Sequence, residues 1–78
     1  MVKLYEVTVD KGDVFYDPHI LQYFALVFKG KVGQSKVTVM GRRENLERWL
    51  GSELYYDLEL LSEVKGSIQE VTYEVHED

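Results

Sequence analysis

Residues 41–64, GRRENLERWLGSELYYDLELLSEV, admit two readings, and the choice sets how many helices and strands the chain contains. As one long helix, Leu46, Leu50, Leu54, Leu61 and Val64 fall within a single stripe. At about 100° per residue, however, Glu53 and Asp57 enter the same stripe, which would bury two carboxylates without a partner. Gly51 in a helix interior would cost a further ~1 kcal/mol relative to alanine. The second reading divides the stretch. Leu46, Trp49 and Leu50 form the apolar face of a short helix that Gly51 closes as a left-handed cap residue. Residues 53–60 then alternate, with Glu53, Tyr55, Asp57 and Glu59 on one face and Leu54, Tyr56, Leu58 and Leu60 on the other, the pattern of a half-buried strand. The second reading leaves no carboxylate stranded and is preferred.

Outside this stretch, Val2 to Val9 is rich in β-branched residues and reads as the first strand. Asp10 to Asp13 carries turn chemistry, and Val14, Phe15 and Tyr16 are expected to fold over the core. Pro18 biases Asp17 toward an extended backbone. Ile20 to Phe28 reads as a central strand apolar on both faces. Residues 29–36, KGKVGQSK, form a polar hairpin connection to a returning strand at Val37 to Met40. Lys65 to Ser67 is the last turn, and Val71, Tyr73 and Val75 alternate with polar neighbours in a final strand. The expected fold is therefore α+β, a small single antiparallel sheet with one short helix packed on it through Trp49, in the order β-β-β-α-β-β.

A chain of 78 residues reads as one domain over 1–78, with a small core to which ten aromatic residues contribute large buried areas. The absence of cysteine removes disulfides and thiolate metal sites and suits a reducing, cytoplasmic compartment. No run approaches the ~20 apolar residues of a membrane span. The net charge is −5 and uneven: residues 1–39 hold five lysines against four acids, residues 40–78 four basic residues against ten acids. That acidic half argues against general nucleic-acid binding through it.

If the last two strands pair, Tyr55, Asp57 and Glu59 share an exposed face with Glu70, Thr72, Glu74 and His76, and carboxylate rows at strand spacing imitate a phosphate backbone. Tyr55, Asp57, Glu59, Glu70, Tyr73 and Glu74 are accordingly the candidate partner-binding residues of a non-catalytic, inhibitory module, one that occupies the nucleic-acid site of a partner enzyme. The bland alternative is a solvated face that resists aggregation. In size and charge the chain resembles small virus-encoded or mobile-element proteins that block a host enzyme. A second class of function is a weak nucleic-acid binder using Lys29, Lys31 and Lys36 around Gly30 and Gly33, where a plain solubilising loop is the simpler explanation. A third is a structural subunit whose edge strand joins copies into a homo-oligomer.

Asp10, Asp13, Asp17 and His19 fit no metal-loop spacing. The serines lack a nucleophile motif, and no cofactor motif is present. No enzymatic activity is expected.

Overall fold

The computed structural model describes residues 3–14, 17–29 and 35–71. Seven elements follow in chain order: β1 (Leu4–Asp10), α1 (Pro18–Tyr23), β2 (Val27–Lys29), β3 (Lys36–Gly41), α2 (Arg43–Glu53), α3 (Leu58–Lys65) and β4 (Gln69–Val71). The strands form one antiparallel sheet in the order β2-β3-β1-β4, and the helices pack on it. The α+β class and the single antiparallel sheet are as the sequence leads one to expect. Within it, two segments taken for strands are helical.

The first is 20–28. Asp17 does take an extended backbone, at φ −133° and ψ 121°, but as a helix N-cap whose carboxylate accepts from the His19 amide at 2.9 Å. Pro18 sits in the first turn, where its missing N–H costs nothing. Ile20, Leu21 and Phe24 then face inward while His19, Gln22 and Tyr23 are exposed, a helical rather than an alternating pattern. The helix ends in a Schellman arrangement. Ala25 takes the left-handed region at φ 56°, Leu26 N–H donates to Leu21 C=O at 2.8 Å, and Ala25 N–H donates to Gln22 C=O at 3.0 Å. Only Val27 to Lys29 remains for a strand.

The second is 53–60. Gly51 lies inside α2 instead of closing it, with open space around its α-carbon. Leu54 is the C-cap and is wholly buried. Asp57 then starts a new helix by accepting from the Leu60 amide at 3.0 Å. Glu59 in the first turn of α3 and Lys65 in the last both complement the helix dipole. Neither one long helix nor a helix followed by a strand describes the stretch. It is two helices with a four-residue turn between them.

Strand register fixes two faces. Tyr5, Val7 and Val9 of β1 stand opposite Gly41, Val39 and Val37 of β3, and these form the inner face under the helices. Leu46, Trp49 and Leu50 from α2, with Leu54, Leu21 and Leu26, complete the core; α2 crosses β1 and β3 directly. Fully burying one such aliphatic side chain contributes ~1.5–3 kcal/mol. Trp49 is 0% exposed, and its indole Nε1 has no hydrogen-bond partner among the described residues. Leu60, Leu61 and Val64 press α3 onto the same core.

The opposite sheet face carries Glu6, Thr8, Asp10, Lys29, Lys36, Thr38, Met40 and Gln69. Thr8 and Thr38, directly opposed, join their hydroxyls at 2.9 Å.

Candidate protein-contact surface

Among the described residues, the large apolar side chains left exposed are Tyr23, Val27, Tyr55, Tyr56 and Leu58. Three of these five fall within residues 55–58, the turn between α2 and the start of α3. Tyr55 is 73% exposed, Tyr56 62% and Leu58 72%. Asp57 and Glu59, also exposed, alternate with them. The result is a compact knuckle of apolar and anionic groups.

Local sequence explains why this knuckle forms. Leu54 must reach the core to end α2, and its amide still donates to Leu50 C=O at 2.8 Å. Asp57 must face the opening of α3 to cap it. Its amide donates back to Leu54 C=O at 3.1 Å, which closes the turn and turns Tyr55 and Tyr56 outward. Their rings meet edge to face, centroids 6.0 Å apart at 85°. The Tyr56 hydroxyl donates to Asp13 C=O at 3.1 Å and so ties the turn to the loop after β1. The stripe of α3 that meets the core is Leu60, Leu61 and Val64, and Leu58 falls off that stripe.

Of the residues singled out from the sequence, Tyr55, Asp57 and Glu59 come together here, though on a turn and a helix start and not on a sheet face. Glu70 is in β4 opposite Tyr5, on the helix-covered side of the sheet, and its carboxylate lies 3.9 Å from Lys3 Nζ. Tyr73 and Glu74 lie outside the described residues, as do Thr72 and His76. The expected pairing of 53–60 with the last strand does not occur, because 53–60 is not a strand; β4 pairs with β1 instead. Tyr56 and Leu58, expected to point inward, are the additions. The spacing of Leu60, Leu61 and Val64 behind a capping aspartate is the sequence signal that would have placed them outside.

The lysine set fares differently. Lys29 donates to Glu6 across the open sheet face at 2.9 Å, Lys36 stands opposite Asp10, and Lys31 lies outside the described residues. No group of three or more histidine, aspartate or glutamate side chains is arranged to hold a metal ion among the described residues. No helix there is long and apolar enough to cross a membrane. Comparison with protein-family models, curated proteins and solved structures finds nothing that matches this chain.

Proposed function

We propose that the protein is a non-catalytic binding module that engages a partner protein through the Tyr55–Glu59 knuckle. The observation that carries this reading is the concentration of exposed apolar surface at Tyr55, Tyr56 and Leu58 on a turn held by hydrogen bonds at Leu54, Tyr56 and Asp57. An anchor already held in its bound shape loses little entropy on binding, and tyrosine supplies a large amphipathic contact with few rotatable bonds. Asp57 and Glu59 beside the tyrosines favour a basic partner surface, such as the nucleic-acid site of an enzyme.

The test is quantitative capture from a lysate of the source organism or its host, comparing the native protein with Tyr55→Ser/Leu58→Ser. A partner retained by the native protein, lost by the variant and displaced by DNA or RNA supports the reading. Equal retention by both proteins would refute it.

A further inference from the structure

The strand β1 runs to Asp10, but β4 pairs with it only at Leu4, Tyr5 and Glu6. Beyond Glu6 the outer edge of β1 has no strand partner among the described residues. Which backbone groups this leaves is fixed by the register. Lys11 N–H donates to Ser35 C=O at 2.9 Å, in register with Val9 opposite Val37. Odd-numbered residues of β1 therefore exchange hydrogen bonds with β3, and even-numbered ones turn N–H and C=O toward the β4 side. Glu6 meets Gln69 there. Thr8 is the next such position, and its rung would fall to Ser67, but Ser67 N–H is committed to Val64 C=O at 3.0 Å. The ladder ends at Glu6 and no backbone bond joins Thr8 to Ser67, so Thr8 N–H and C=O face a groove.

That groove has two parts, both lined by Thr8 and Ser67. The larger part, about 240 Å³, has Leu54, Leu60 and Val64 among its lining residues together with Asp10, Asp13, Glu63 and Lys36. The smaller, about 180 Å³, adds Glu6 and Gln69. None of Asp10, Asp13 and Glu63 makes an ion pair among the described residues.

We infer that this edge accepts a short extended segment of a partner protein bearing an arginine or lysine. One residue of the segment pairs its backbone with Thr8, as in strand addition. Side chains alternate across a strand, so the residue opposite Val9 points to the helix side of the sheet, into the larger part of the groove. There an aliphatic stem lies along the half-buried Leu60 and Val64 while the cationic head meets Asp13 and Glu63, the division of contacts that suits a long basic side chain. β4 blocks the path beyond Glu6, so the segment enters from the Asp13 end and stays short. Tyr55 and Leu58 do not line this groove, and the inference stands independently of the knuckle.

The experiment is amide NMR of the full chain titrated with seven-residue peptides of alternating threonine and valine, centred on arginine, lysine, alanine or glutamate. The Thr8 and Asp10 amides should shift and exchange more slowly with the arginine and lysine peptides. The glutamate peptide should bind at least about tenfold more weakly, and so should the arginine peptide to Glu63→Lys, each the equivalent of ~1.4 kcal/mol. Folding of that variant is checked in the same spectra, and Asp13→Asn serves if it is unfolded. A Thr8 amide that stays unperturbed at millimolar arginine peptide would overturn the inference. So would glutamate and arginine peptides that bind alike.

Discussion

The Tyr56 hydroxyl donates to the backbone carbonyl of Asp13 at 3.1 Å, bridging two loops that are 43 residues apart in the chain. This contact fastens the knuckle to the end of the sheet. Removing only the hydroxyl, in Tyr56→Phe, should lower stability by ~0.5–1 kcal/mol, the ordinary net worth of one hydrogen bond. Urea denaturation reads that loss. Partner capture should survive, because the exposed ring is kept.

Asp57 has two roles that substitution separates. Its carboxylate caps α3 through the Leu60 amide and adds charge to the knuckle. Asp57→Ala should cost ~1 kcal/mol of stability, and Asp57→Ser, which still caps, only a few tenths. Both remove the charge. If the electrostatic role matters, the two variants should weaken partner capture alike and show the greater salt sensitivity in the native protein.

Ala25 and Gly41 are opposite cases: one would gain from glycine and the other needs it. Ala25 holds a positive φ that costs an L-residue ~1–2 kcal/mol, so Ala25→Gly should raise stability by ~0.5–1 kcal/mol after the added unfolded-state entropy of glycine. At Gly41 a β-carbon would collide with Leu26 Cδ2, itself buried in the core. Gly41→Ala should therefore destabilise by ~1–3 kcal/mol. Opposite shifts in thermal midpoint are the readout.

Trp49 fills the centre of the core while leaving Nε1 unpaired among the described residues. Trp49→Ala should cost ~3–5 kcal/mol through the cavity it opens. Trp49→Phe should cost much less, since it keeps most of the volume and deletes the unpaired donor. Equal losses in the two variants would contradict this expectation.

Much of the sheet was legible because its signals are unopposed. Val7, Val9, Val37 and Val39 alternate cleanly, and Leu46, Trp49 and Leu50 have helical spacing, so β1, β3 and α2 were each recovered from local pattern. Ile20 to Phe28 misleads because a dense apolar run fits either period, and Asp17-Pro18 suits an extended chain as well as a helix start. Residues 53–60 misled because the turn happens to alternate. Only the Asp57 cap and the Leu60, Leu61, Val64 spacing distinguish it, and that spacing runs past the last residue of the alternation. The same error governed the site. The alternation places Tyr55, Asp57 and Glu59 outside, where they are, but a strand puts their exposed neighbours Tyr56 and Leu58 in the core.

Photo-crosslinking from single positions tests the knuckle most directly. A benzoylphenylalanine placed at Tyr55 and, separately, at the exposed Gln22 of α1 is irradiated in a lysate of the source organism or its host. A discrete crosslinked partner from position 55 and none from position 22 is the expected result. The same products from both positions, or none from position 55, would contradict a partner-binding role for the Tyr55–Glu59 knuckle.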